Sequence, residues 1–300
     1  EILSNNVCSL RPQEEKYTFS AIFNINKKGE ILKEWFGKSV IKSDRRFSYA
    51  EAQEIIETKK GNIKKEISLK NKEYKVSEKT VNAILVLNEI ATTLREERKK
   101  QGSINFNKKE IKFKLDSKKN PIEVIFKENK EANKLIEEFM LLANKKVAEL
   151  FKKLKKEPSV YRIHDVPDKE KLKALKTIVK EFGYSLDITS REGTSRTLNK
   201  LLNEVKGTRE QNLIETLAIR SMSKAEYSTQ DIGHYGLGFK HYTHFTSPIR
   251  RYPDILVHRL LNECLNKTKD QKQKGLSDRS KHCSERETAA VKAERESIKY

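Results

Sequence analysis

Apolar positions along the chain follow two rhythms, one of period two concentrated in the first half and one of helical period that dominates the second. Tyr17, Phe19, Ala21, Phe23 and Ile25 alternate with polar residues, the pattern of a half-buried strand. Asn26-Lys27-Lys28-Gly29 supplies a turn, and Ile31 to Ile41 returns as a second strand carrying Trp35, the only tryptophan. Leu3 to Pro12 reads as a polar turn ahead of this hairpin. Ser48 then caps a short helix with Ala52, Ile55 and Ile56 on one face. Lys59 to Glu78 is lysine-rich and weakly patterned, the mark of a surface excursion. Ile104/Phe106, Ile111/Phe113/Leu115 and Ile122/Val124/Phe126 alternate again and predict a small antiparallel meander.

Helical spacing takes over elsewhere. Val81, Ile84, Leu85, Leu87, Ile90, Ala91 and Leu94 predict a core helix closed by basic residues up to Lys100. Asn133 to Lys155 holds the longest such pattern. Tyr161 to His164 reads as a strand, Pro167-Asp168 starts a helix through Phe182, and helices are expected over Thr194 to Val205 and Gln211 to Ala225. Leu276 to Tyr300 closes the chain as a highly charged helix. The fold class expected is α+β in a single domain over residues 1–300, with antiparallel sheets in the first half wrapped by helices and a mainly helical C-terminal part.

Charge changes the picture more than size does. The chain carries 63 Lys and Arg against 43 Asp and Glu, a net charge of +20, which favours polyanions as partners, nucleic acid first among them. An anionic membrane surface fits less well, because no long helix combines a basic face with a broad apolar one. No apolar run approaches the roughly 20 residues of a membrane span. Cys8, Cys264 and Cys283 form no metal or redox spacing and read as free thiols of a reducing, cytoplasmic compartment. The chain begins at Glu1 without a charged-then-apolar leader, as a fragment or processed polypeptide does.

Candidate chemistry gathers in His234 to Arg259, HYGLGFKHYTHFTSPIRRYPDILVHR, which holds four of the six histidines with tyrosines, arginines, glycines and prolines. Thr246-Ser247-Pro248 reads as a helix start, which places Arg250 in a first turn where its planar donors and the helix dipole suit a phosphate. Arg251 follows on another face. On chemistry alone, a Gly-rich connection into a structural helix with solvated arginines explains the same residues equally well.

This stretch resembles the signature of the RNase II/RNase R family of processive 3′-to-5′ exoribonucleases. Similarity extends to LSNNVCSLRP from Leu3, EWFGKSVIKSDRRFSYAEAQEII from Glu34, IEEFMLLAN from Ile136, YRIHDVPDKEKL from Tyr161 and AERESIKY from Ala293, in the family's order and closest to its RNase R branch. The resemblance implies most of an RNB-type catalytic domain acting on single-stranded RNA and releasing nucleoside 5′-monophosphates. It implies that Arg250 fixes the scissile phosphate, that Arg251 contacts RNA, that Tyr49 lines the cleft near the last nucleotides, that Glu137 meets the terminal sugar, and that Glu294 helps order the RNA-facing side. Without it, Tyr49 is an amphipathic tyrosine at a helix start, Glu137 and Glu138 are solvated first-turn carboxylates, and Glu294 lies on a solvated outer helix.

The family also implies Mg²⁺ held by aspartates in a D-x5-D-x-D-D pattern ahead of the equivalent of Leu3 to Pro12. This chain has no such pattern; the ligands are expected upstream of residue 1, no metal ligand is expected within the chain, and the 300 residues alone are expected to be inactive. A monomer without membrane attachment is expected. The alternative is an RNB-like scaffold that binds RNA without cutting it.

Overall fold

A computed structural model describes residues 2–106, 110–118, 120–127, 129–268 and 275–298. The first residues, Ile2–Val7, wind into a π-helical turn rather than the polar turn expected. β1 (Glu15–Ile25) and β2 (Ile31–Lys42) pair antiparallel as the alternation predicts, with Tyr17 opposite Val40 and Phe23 opposite Glu34. Their turn closes because the Asn26 side-chain oxygen accepts the Lys28 and Glu30 N–H groups at 2.9 and 3.0 Å, while Gly29 takes φ +81°.

α1 (Tyr49–Thr58) starts at Ser48 in a capping box with Glu51. β3 (Asn62–Ile63) and β4 (Tyr74–Lys75) then form a small hairpin. The Lys59 to Glu78 segment is therefore only partly an excursion: Ile63 and Val76, each 2% exposed, pack with Ile55 and Val81. α2 (Glu78–Lys100) follows from the cap Ser77. Only a hairpin, β5 (Glu110–Leu115) with β6 (Pro121–Lys127), stands where a meander was expected. Ile104 leaves the pattern because it is buried in a helical cluster instead.

α3 (Glu131–Lys153) is the spine of the described fold. Its Ala143, Val147 and Phe151 pack against Leu256, Val257, Leu260 and Leu261, and the inner face of the first hairpin (Phe19, Ala21, Phe23, Phe36) covers the same cluster. β7 (Tyr161–His164) leads into α4 (Lys169–Glu181), capped by Asp168, then α5 (Arg191–Glu204) and α6 (Gln211–Ser221). These three helices bury Leu175, Val179, Leu198, Leu201 and Ile214 in a second cluster. α6 ends earlier than expected because Ala225–Ser228 is β8, paired antiparallel with β7; sheets are thus not confined to the first half.

The helix expected from Pro248 starts four residues later, as α7 (Tyr252–Asn266). In a helix begun at Pro248, Pro253 would have to donate an N–H it lacks to the Ile249 carbonyl and would press its ring against that group. Starting at Tyr252 puts Pro253 in the first turn, where the missing donor costs nothing. α8 (Leu276–Ser297) packs on β8 and α7.

Phe151 is fully buried at the centre of the first cluster. Phe151→Ala is expected to lower unfolding free energy by about 3–5 kcal/mol, read as a fall in denaturant midpoint.

Candidate nucleic-acid interface

The loop that carries the arginines is held to α3 by one amide. Asn144, 3% exposed in an otherwise apolar helical row, accepts the Phe245 and Thr246 N–H groups at 2.8 and 3.2 Å and donates to the Tyr242 hydroxyl at 3.1 Å. Two further bonds tie the loop to β7: Arg162 N–H donates to the Tyr242 carbonyl, and the Thr243 hydroxyl to that of Val160. His258 from α7 stacks on Phe245, centroids 4.5 Å apart, and its Nε2 donates to the Phe245 carbonyl at 2.8 Å. The loop is fixed from three sides.

Downstream, Asp254 replaces the phosphate-binding helix start expected at Pro248. Its carboxylate is fully buried and its Oδ1 accepts the Ser247 N–H at 2.7 Å and the Arg251 guanidinium at 2.8 Å. Thr246 Oγ1, Arg251 Nε and Asp254 Oδ2 are buried without a hydrogen-bond partner among the described residues, so unmet polar capacity concentrates at this turn.

Behind the loop runs a column of rings. His164 stacks on His234 at 5.0 Å, His234 meets Tyr242 edge-on, Tyr242 meets His244, and the Tyr227 hydroxyl lies 2.8 Å from His244 Nδ1. The Arg162 guanidinium sits 4.6 Å from the Tyr227 ring centre and forms a two-pronged pair with Glu287 of α8 at 2.7 and 3.1 Å. Burial, reinforced by Arg251, Arg162, His234 and Arg250, pulls His244 down to about 2; burial with His164 and Arg162 pulls His234 to about 3. Both imidazoles are neutral beneath a cationic rim. Burial pushes Tyr227 up to about 12.

Arg250 and Arg251 lie close enough to His244 to act on its titration, but their roles diverge. Arg250 is exposed and has no ion-pair partner among the described residues; Arg251 is committed to Asp254. Tyr49 is the first residue of α1, 53% exposed. Glu137 is exposed, whereas its neighbour Glu138 is buried and paired with Arg98 of α2 at 2.5 Å. Glu294 is exposed two turns beyond Glu287 on the same stripe of α8, and its carboxylate makes no hydrogen bond or ion pair among the described residues. The structure brings the two arginines together; no hydrogen bond, ion pair or ring contact among the described residues joins Tyr49, Glu137 or Glu294 to them. Asn144, Arg162 and Asp254 are not singled out by the sequence, and Glu138, expected on its residues alone as a solvated first-turn carboxylate, is buried instead. A lone Asn inside the apolar row Leu141 to Ala148 was the available signal for the first.

Among the described residues, no group of three or more His, Cys, Asp or Glu side chains is placed to hold a metal ion. Asp254, Glu138 and Glu287 are each tied to an arginine. These residues do not supply the oxygen-rich set Mg²⁺ takes. No described helix is long and apolar enough to cross a membrane.

A mixed α+β scaffold presents Arg250, without an ion-pair partner among the described residues, on a braced loop of a chain with net charge +20, the chemistry of a polyanion-binding domain. The RNB domain profile matches residues 1–267, and the chain belongs to the RNB-domain family. It is 37% identical to Ribonuclease R 2 of Lactococcus lactis over 98% of its length, covering 43% of that protein. It is 34% identical to an Arabidopsis thaliana relative named inactive exonuclease DIS3L2, over 88% of this chain and 26% of the relative. Among solved structures it matches Mycoplasma genitalium RNase R in complex with ribose methylated single-stranded RNA, with TM-score 0.85, 28% identity, and coverage of 98% of this chain and 45% of that one. The chain thus spans less than half the length of these relatives.

Asn144→Ala strands the buried Phe245 N–H and the half-buried Thr246 N–H and is expected to cost about 2–4 kcal/mol, measured by denaturant unfolding. His244 stays neutral when folded but takes a proton below its ordinary value of 6.5 when unfolded. Its contribution is intact above pH 6.5 and is lost as pH falls toward the folded value. Over that window the parent chain should lose about 1.4 kcal/mol per pH unit more than His244→Gln, read from paired unfolding curves.

Proposed function

We propose that this chain is one wall of the RNA tunnel of a 3′-to-5′ exoribonuclease that hydrolyses single-stranded RNA processively to nucleoside 5′-monophosphates. One observation carries the reading: Arg250 is exposed and without an ion-pair partner among the described residues, beside a loop braced by Asn144, Tyr242 and His258, while the adjacent Arg251 is neutralised by Asp254. A guanidinium that no acid among the described residues engages suits a phosphate, whose developing charge it offsets. Arg251 braces the turn and reaches RNA through its remaining donors. Tyr49 offers a ring for stacking a base near the 3′ end. Glu137 accepts from a ribose 2′-hydroxyl, a means of telling RNA from DNA. Glu294, on the stripe of Glu287, orders the RNA-facing side of α8.

Mg²⁺ belongs to this reading as the supplier of activated water, on aspartates outside these 300 residues. The chain alone is then inactive, and the reaction needs an aspartate-bearing segment ahead of residue 1. With three unbridged cysteines among the described residues, a cytoplasmic monomer is the form we propose.

A second reading, an RNA-binding scaffold without catalysis, is favoured by the pairing of Glu138, Glu287 and Asp254 with arginines and by the relative named inactive. Incubating 5′-labelled single-stranded RNA with Mg²⁺, using this chain with and without the aspartate-bearing segment, separates them. Stepwise release of mononucleotides only with the segment supports the enzyme; RNA binding with no release in either case supports the scaffold. In the active form, Arg250→Ala is expected to lower kcat by about 10²–10³-fold with a smaller effect on RNA affinity. Equal reductions in both would make Arg250 a holder of substrate alone.

A further inference from the structure

Between Lys59 and Lys79 the chain carries eight lysines against three acidic residues. All eight are exposed, and the ion pair formed there among the described residues is a loose one, Lys64 to Glu54 at 3.6 Å. A segment so charged repels itself and tends to stay loose. This one is latched. Glu51 of α1, wholly buried, accepts the Leu69 N–H at 3.0 Å and the Tyr74 hydroxyl at 2.7 Å on one oxygen, and the Ser48 N–H at 2.7 Å on the other. Ile63 and Val76 are buried against Ile55, and a Cβ on Gly61 would collide with the Val76 carbonyl. The Tyr74 ring has the Arg45 guanidinium 5.2 Å and the Lys70 ammonium 4.9 Å from its centre.

The carboxylate that caps α1 is therefore the one that holds this hairpin, and Tyr49 is the next residue after the cap. Unbalanced cations and the exposed Tyr49 ring share one rigid unit. We infer that Lys59 to Lys79 is a second RNA-binding surface, an electrostatic apron that grips the phosphodiester backbone of single-stranded RNA where the strand passes Tyr49. The inference rests on the RNA-degrading reading above. Lysines without matched acids suit sequence-independent phosphate binding rather than base edges. Leu69 is the one large apolar side chain of the segment that is exposed, too little to seat it in a lipid surface.

The test is the salt dependence of RNA binding by this chain. Affinity for a single-stranded RNA oligonucleotide is measured across a salt series for the parent, for an apron variant with Lys64, Lys65, Lys70 and Lys72 each changed to Gln, and for a control with Lys169, Lys171, Lys173 and Lys176 of α4 each changed to Gln. Both variants give up the same charge from exposed positions, and thermal melts establish that both remain folded. The slope of log affinity against log salt is expected to flatten by about 0.7 for each phosphate no longer neutralised in the apron variant, and to stay at the parent value in the control. Equal flattening in both, or none in the apron variant, overturns the inference while leaving the RNA-degrading reading standing. No RNA binding by the parent overturns both. Loss of binding to phosphatidylserine vesicles in the apron variant, with RNA binding unchanged, reassigns the lysines to a membrane and overturns the inference too.

Discussion

The buried side chain of Asn144 is the constraint on which the rest of the site depends. Sitting midway along α3, it converts a helix built for packing into a frame for a loop with no regular structure of its own. A loop of this kind carries backbone donors that water would otherwise satisfy, and burying them demands a partner at each. Asn144 meets two with one oxygen and uses its amide on Tyr242. The stretch before the arginines is thereby coupled to the main hydrophobic cluster through Val147 and Phe151, one and two turns along the same helix.

Electrostatics in the site follow a single arrangement. Three carboxylates near the loop face arginines, Glu287 with Arg162, Asp254 with Arg251 and Glu138 with Arg98, and a fourth, Asp231, pairs with His241 and lies 3.7 Å from Lys152. Histidines in the ring column are held neutral by burial beneath those cations. Arg250 is the exception, exposed and without an ion-pair partner among the described residues. Removing the arginine from the Asp254 or Glu138 pair would leave a buried carboxylate uncompensated, so these pairs sharpen geometry more than they add stability.

Legibility in the sequence tracks how local the governing physics is. The first hairpin, the caps Ser48 and Asp168, and the long row of α3 are readable because alternation, capping chemistry and helical period act over a few residues. β8 begins at the last residue of the helix expected over Gln211 to Ala225 and leaves no trace in the sequence, because Ala225–Ser228 is too short to show a period and is extended only by pairing with β7. The late start of α7 turns on a local rule that the sequence does contain: Pro253 decides the boundary instead of being tolerated inside a longer helix. Arg250 and Arg251 stand out by composition, but their division of labour does not, since the partner of Arg251 is chosen by burial of Asp254. Glu138 and Arg98, 40 positions apart, meet only through packing of α2 on α3.

The bridge from the Asp254 carboxylate back to the Ser247 N–H closes a ring of fixed size around Arg250. Pro248 and Pro253 stiffen that ring at two points, so its circumference has almost no slack. A single residue added or deleted inside it would swing the Arg250 guanidinium away from its bearing, even with every other side chain preserved. Homologous chains that keep this chemistry are therefore expected to vary in the identity of residues within the ring before they vary in its length.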